Sequence, residues 1–333
     1  MTEKIRIGLI GCGDHAFRVL SPSLTNVDNV EFVACSDVNE VAAYNMSQNF
    51  GFKQPYLDYN DMLSKEELDG VMVVTPHHML KEAAIASIQA GNNVFVEKPM
   101  ATSLPDGIEI REAARKAGVD VMVGFCTRYA EGRRTMKTLI ERGIVGDIVH
   151  VNAAKGGAPL QSWRADPEKG GGQLFWLGSH ITDQILWMLG SEAERVYGEI
   201  LWHPETGADQ NSAYTIRFKD GVIANVLCSQ NIGGGVDFIE IFGSAGRIRA
   251  EWPSNFVYAY SEILPEYNQP VVIQPKNVKP LEMYEAELDL WIHSLSKKTQ
   301  PPMTVDDGIN MLQIIDAVFE SGKTGLPVTL NAS

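Results

Sequence analysis

Cysteine is scarce: the 333-residue chain has four, at positions 12, 35, 126 and 228, with no Cys-x-x-Cys pair among them. That scatter indicates neither a zinc site nor a disulfide framework and fits a reducing compartment, so no metal is expected. Positive charge is also in short supply. Against 42 acidic residues stand 28 basic ones, a net charge of -14, and such a surface repels the phosphate backbone that a nucleic-acid binder must neutralise over a broad area. Nucleic acid is therefore not an expected partner, although one anionic cofactor can still be held by a helix N-terminus and oriented backbone N–H groups. Long apolar runs are missing too: none reaches the ~18–20 residues needed to span a bilayer. Met1-Thr2-Glu3-Lys4 passes directly into the apolar stretch Ile5 to Ile10, with no basic segment or small-residue cleavage site before it. No membrane partner is expected, and the expected location is the cytoplasm. Internal repeats and low-complexity tracts are likewise lacking.

What is present is an ordinary folded composition, 44% hydrophobic and 21% charged, on a chain long enough for two cores. From residue 5 to about residue 124, short β-branched runs alternate with longer segments of helical spacing. The strands expected are Ile5 to Ile10, Val30 to Cys35, Gly70 to Val74, Asn93 to Val96 and Asp120 to Val123. Helices are expected over Ala16 to Asn26, Glu40 to Phe50, Leu80 to Ala90 and Pro105 to Ala117. That rhythm predicts an α/β fold with a doubly wound parallel sheet. After Tyr129 it changes to a helix, a Gly-rich loop, a second helix and several closely spaced strands. Runs such as Ala213 to Phe218, Val222 to Ser229, Asp237 to Phe242 and Arg247 to Glu251 read as an antiparallel meander within an α+β domain. The domains expected are 1–124 for a cofactor and 125–333 for substrate and assembly. Tyr214, Ile216 and Phe218 alternate with polar neighbours, while Ile239 and Ile241 flank Glu240, so apolar side chains are expected on both faces of the sheet. One helix layer covers only one face, which predicts a homodimer or homotetramer.

Chemistry-bearing residues gather at the ends of the first strands. Gly11-Cys12-Gly13-Asp14-His15-Ala16 is Gly-x-Gly-x-x-Ala between a strand and a helix, with Asp14 and His15 inside the candidate cofactor turn. Gly11 permits the tight turn, Gly13 lets the backbone approach a pyrophosphate, and Ala16 lets the helix pack closely on the sheet. The second strand leads into Asp37, 26 positions after Gly11, near the ~20-residue offset of the carboxylate that binds the adenosine ribose. Val38 and Asn39 follow it, and neither pairs with a 2′-phosphate as an arginine would, so NAD is preferred to NADP. The alternative role for Asp37 is the N-cap of the next helix, and the two roles can coexist. Glu97-Lys98-Pro99 falls just past the Asn93 to Val96 strand, at the carboxyl edge where doubly wound sheets place ligands. A lysine there can bind a substrate hydroxyl and stabilise a developing alkoxide, although a Glu-Lys pair read alone is usually a solvated surface couple.

Taken together, Gly-x-Gly-x-x-Ala, Thr75-Pro76, Glu97-Lys98-Pro99, Gly124-Phe125 before Arg128, and Gly170-Gly171-Gly172 before Gly178-Ser179-His180 resemble the glucose-fructose oxidoreductase/inositol dehydrogenase (Gfo/Idh/MocA) family. The likeness continues to the tail, from Asp307-Gly308 through Ser321-Gly322 to Pro327-Val328. It implies a Rossmann domain, a C-terminal domain with a large, mainly antiparallel open sheet, and a nicotinamide at their junction. It further implies an NAD-dependent oxidoreductase moving a hydride to or from a secondary alcohol of a sugar, polyol or glycoside. In that reading Gly11, Gly13, Asp14, His15, Ala16, Asp37, Thr75, Pro76, His77, Glu97 and Lys98 serve the cofactor. Lys98 anchors the reacting hydroxyl, His180 moves its proton, and Arg128, Trp163, Arg164, Trp176 and Asp183 are the further substrate contacts. Two departures stand out. The family commonly has Asp-x-x-x-His, but Trp176 occupies the Asp position; its usual histidine after Thr-Pro falls on Leu80, with His77 and His78 nearby. Asp183 is a candidate substitute for the missing acid, and Trp176 is either a sugar-stacking platform or core packing. Two other outcomes stay open: transient oxidation that permits elimination of a glycosidic substituent, and a non-catalytic NAD-binding regulator. Arg133 and Arg134 read as surface charges, and His150, His203 and His293 as structural.

Overall fold

The computed structural model describes residues 4–275, 278–279 and 281–330. Six parallel strands form the first sheet: β1 (Ile5–Ile10), β2 (Val30–Ser36), β3 (Gln54–Tyr56), β4 (Gly70–Val73), β5 (Asn93–Glu97) and β6 (Val121–Gly124). Their order is β3-β2-β1-β4-β5-β6, which reverses direction at β1 and makes the sheet doubly wound. The crossover helices are α1 (Ser21–Leu24), reached through a π-helical turn over Ala16–Leu20, then α2 (Glu40–Phe50), α3 (Tyr59–Lys65), α4 (His77–Gln89) and α5 (Leu104–Ala117). β4 is buried along its whole length, as a strand covered by helices on both faces must be. Sequence reading missed β3 and α3. The strand is three residues long and contains Pro55, which suits only an edge position, so neither periodicity nor composition marks it.

The remaining elements are α6 (Glu131–Glu141), β7 (Ile148–Gly156), α7 (Ser179–Leu189), β8 (Ala193–Trp202), β9 (Asp209–Phe218), β10 (Ile223–Ser229), β11 (Val236–Gly243), β12 (Gly246–Glu251), β13 (Val257–Ser261), β14 (Val271–Ile273), α8 (Glu282–Lys297), α9 (Val305–Thr324) and β15 (Val328–Thr329). Nine of these strands form a second sheet in the order β14-β13-β12-β11-β7-β10-β9-β8-β15. All its pairs are antiparallel except β7 with β10, because β7 is inserted between β11 and β10 rather than following the meander. The chain divides into two compact units, Met1–Cys126 with Pro280–Ile309, and Thr127–Lys279 with Asn310–Ser333. α8 thus returns to the first unit, whereas 125–333 was expected to form a single domain. Trp291 is the cause: its ring lies 5.5 Å from that of Phe95 on β5, and a Cβ added at Gly70 would meet it at 2.8 Å.

The second sheet corrects one expectation. Tyr214, Val226, Ala153, Ile239 and Ala250 are successive neighbours across the ladder, and all are buried. Tyr214, Ile216, Phe218, Ile239 and Ile241 therefore share one face, not two, because alternation on separate strands does not reveal their relative register. The opposite face carries Tyr197, Leu227 and Tyr258, each more than a third exposed, interspersed with Asn152, Thr215, Asn225 and Arg249.

Arg133 is a second correction. It is 2% exposed, donates to Asp237 at 2.6 Å and to the Ala250 carbonyl, and Asp237 also accepts from Lys155. The amphipathic α6 turns this arginine toward β12, where burial lowers the pKa of the guanidinium and Asp237 opposes that shift. Arg134, one residue on, is exposed as expected.

Candidate active site

In the first unit the candidate residues line up at the carboxyl ends of the strands. Gly11 has φ +95°, and a Cβ there would lie 2.4 Å from the Val74 carbonyl oxygen, so only glycine fits this turn. Gly13 is exposed, and a Cβ added to it would meet no protein atom within 4 Å. The space beside Gly13 faces solvent at the start of a helix, as a cradle for a pyrophosphate requires. Asp37 accepts from the Cys12 N–H and the Asn39 N–H, each at 2.8 Å. The cap of α2 is Asn39, which accepts from Val41 and Ala42, so Asp37 is not the helix cap. Instead its carboxylate is tied to the glycine turn. Thr75, after β4, has a buried hydroxyl that meets no protein partner. Pro76 and His77 open α4, with His77 buried and His78 exposed, and Leu80 is fully buried in that helix. These features fit a bound dinucleotide.

Glu97 and Lys98 are both buried, at 7% and 8% exposure. The Glu97 carboxylate accepts from the Lys98 backbone N–H at 3.2 Å and lies 3.1 Å from His15 Nε2, so the glycine turn and the Glu-Lys turn are joined through His15. Tyr284 of α8 meets the His15 ring edge-on at 5.8 Å. Behind them lies Glu287, fully buried, both of whose oxygens meet no hydrogen-bond partner. Burial, then repulsion from Glu97, raises its pKa well above the usual carboxyl range. Burial followed by the same two carboxyls raises Cys126. Sequence reading missed Tyr284 and Glu287, since nothing local marks residues that enter this edge from the far end of the chain.

In the second unit α7 carries His180 and Asp183 three residues apart, and Trp176 stands in the π-helical turn Leu174–Gly178 that leads into it. The Gly-rich loop before it is closely packed: Gly171 and Gly172 donate to the carbonyls of Asp166 and Arg164, both at 2.8 Å. A Cβ on Gly171 would lie 2.5 Å from Arg164 O. That staple brings Trp163 and Arg164 onto Trp176. The guanidinium carbon of Arg164 lies 4.5 Å from the Trp176 ring centre and 5.0 Å from that of Trp163. One side of Trp176 thus already bears a cation.

Arg128 and Asp183 form a buried bidentate pair, with Nε to Oδ2 at 2.9 Å. The Asp183 carboxylate considered above as a stand-in for the absent acid is engaged with Arg128. His180 Nδ1 lies 3.4 Å from the Thr127 hydroxyl, and the Gln184 side-chain amide donates to Thr127 Oγ1 at 3.0 Å and to the His180 carbonyl at 3.1 Å. Thr127 and Gln184 were not singled out in the sequence; the signal for Gln184 was its spacing of four from His180. Among the described residues no cluster of His, Cys, Asp or Glu could hold a metal. His150 bonds Asn152 and Asn225, and His203 accepts from the backbone of Glu205 and Thr206.

Residues 5–125 match the model of the oxidoreductase family with an NAD-binding Rossmann fold, and residues 133–249 match the GFO/IDH/MocA C-terminal domain. Myo-inositol 2-dehydrogenase of Thermotoga maritima is 30% identical over 256 residues, covering 74% of this chain and 75% of that protein. The chain belongs to the Gfo/Idh/MocA family. Another relative, 2,7-anhydro-N-acetylneuraminate hydratase of Mediterraneibacter gnavus, is 28% identical over 203 residues, 58% of this chain and 54% of that one. Levoglucosan dehydrogenase solved with NADH and levoglucosan shares the fold at a TM-score of 0.92 and 20% identity, covering 99% of this chain and all of that one. Gfo/Idh/MocA membership makes the six-stranded unit an NAD-binding domain and the protein an oxidoreductase by family.

Proposed function

We propose that this protein is an NAD-dependent dehydrogenase acting on a secondary alcohol of a sugar, polyol or glycoside. The observation that carries the proposal is Lys98, a buried lysine at the carboxyl end of β5 whose backbone is tied through Glu97 to His15 in the glycine turn. The chemistry supplied when NAD is bound is acceptance of a hydride at nicotinamide C4. Gly11 and Gly13 admit the pyrophosphate, Asp37 accepts from the adenosine ribose, and Glu97 holds the Lys98 backbone. Lys98 steadies the substrate oxygen as its charge develops. The test is a screen of NAD reduction against inositols, aldoses and glycosides. Lys98→Ala should lower turnover by ~10²-fold or more with NAD affinity nearly unchanged. Full activity after that substitution rejects the assignment.

A second reading keeps the site and removes net oxidation: transient oxidation of a sugar carbon, elimination or addition at its neighbour, then return of the hydride. The hydratase relative favours it. Product formed without release of NADH would select it. We also propose that the exposed face of the nine-stranded sheet pairs two copies of the chain, since Tyr197, Leu227 and Tyr258 are exposed there.

A further inference from the structure

We propose that Thr127 and Gln184 are positioning residues that hold His180 with its proton on Nε2, so that the imidazole meets its ligand as a hydrogen-bond donor. The inference rests on the dehydrogenase reading for its functional meaning, but its geometry lies wholly within the second unit.

The argument starts at a carbonyl. The oxygen of His180 only accepts, so the Gln184 group 3.1 Å from it is the amide nitrogen, and the orientation of that amide follows. The same nitrogen lies 3.0 Å from Thr127 Oγ1 and supplies its second proton there. Thr127 is 9% exposed, and its hydroxyl has one proton of its own. Among the described residues the acceptor within reach of that proton is His180 Nδ1, at 3.4 Å. Were Nδ1 protonated, the hydroxyl would receive from both Gln184 and His180 and its own proton would be buried without an acceptor, which is disfavoured. Nδ1 is therefore the acceptor, and in the neutral ring the proton sits on Nε2.

A carboxylate beside Nδ1 has the opposite effect: it is an acceptor, fixes the proton on Nδ1 and leaves Nε2 as a lone pair. Trp176 stands where the family commonly has an acid, and Asp183 is paired with Arg128. The Gln184-Thr127 chain thus assigns His180 the reverse polarity. An oxygen reached by Nε2 then accepts a hydrogen bond, as a ketone or an alkoxide does.

The test is nitrogen-15 NMR of the whole protein labelled in its histidines, with His180→Asn to identify the His180 signals among the seven histidines. At neutral pH the spectrum should show the Nε2–H tautomer. Thr127→Val, which keeps the shape and removes the hydroxyl, should move His180 toward a mixture of tautomers, and Thr127→Ser should restore the original pattern. An Nδ1–H tautomer in the unaltered protein overturns the proposal, as does an unchanged spectrum in Thr127→Val. If Thr127→Val does not fold, the unaltered spectrum still decides. Failure of the dehydrogenase reading would appear separately, as absence of both NAD reduction and product in the substrate screen.

Discussion

At the scale of single residues, the cofactor preference rests on one carboxylate and its neighbours. Asp37 is held by two backbone N–H groups at 2.8 Å, so its position is set by the fold of the glycine turn. A 2′-phosphate would meet that negative charge, and the following Val38 and Asn39 offer no cation. NAD should bind more tightly than NADP by calorimetry, and Asp37→Ala should weaken NAD by ~10–100-fold, the value of one or two charged hydrogen bonds, while narrowing the difference between the cofactors. A native preference for NADP would reject this role. Asp37 was legible because its chemistry depends on an offset along the chain. Arg133 was not: its sequence neighbours look exposed, and only the docking of α6 on β12 decides that it is buried and paired.

At the scale of elements, the π-helical turn that leads into α7 is fastened by a buried acid. Asp209 at the head of β9 is 1% exposed and accepts from the Leu174 N–H at 2.7 Å. Burial raises its pKa from 3.8 to about 6, partly offset by the backbone N–H groups it accepts from. A carboxyl with a raised folded-state pKa stabilises the fold most below its unfolded value, near pH 3.8, and that contribution is lost as pH rises through about 6. The window is worth roughly 3 kcal/mol. Other carboxyls titrate over the same range, so the informative quantity is the difference between the native chain and Asp209→Asn. From pH 4 to pH 7 denaturant unfolding should show the native chain losing on the order of 3 kcal/mol relative to the variant. A difference independent of pH rejects this account. The glycines ahead of α7 belong to the same device, for the sequence marks them as a loop but cannot show that Gly172 lies against Asp209.

For the whole molecule, one face of the nine-stranded sheet bears exposed apolar and aromatic side chains, with Tyr197, Leu227 and Tyr258 spread across it. If two copies pair through this face, light scattering at micromolar concentration should give a mass of at least twice 36.7 kDa. Leu227→Asp should shift the population toward monomer, because it places a charge among apolar and aromatic side chains while leaving the buried face of β10 untouched. A monomeric native chain rejects the proposal.

The sequence by itself determined the strands and helices of the Rossmann unit from β1 to β6, apart from β3 and α3, because local periodicity and turn residues act over short stretches of chain. It also determined the glycine turn, Asp37 and the Glu97-Lys98 pair, since each stands at a strand end and strand ends in a parallel sheet share one edge. Tertiary structure alone decided which apolar residues of the second sheet share a face, because register between strands depends on long-range pairing. It likewise decided that α8 completes the first unit, that Arg128 takes Asp183, and that His180 is answered by Thr127. These are contacts between residues far apart in the chain, and a side chain's partner is chosen by how distant elements pack, which no local pattern encodes.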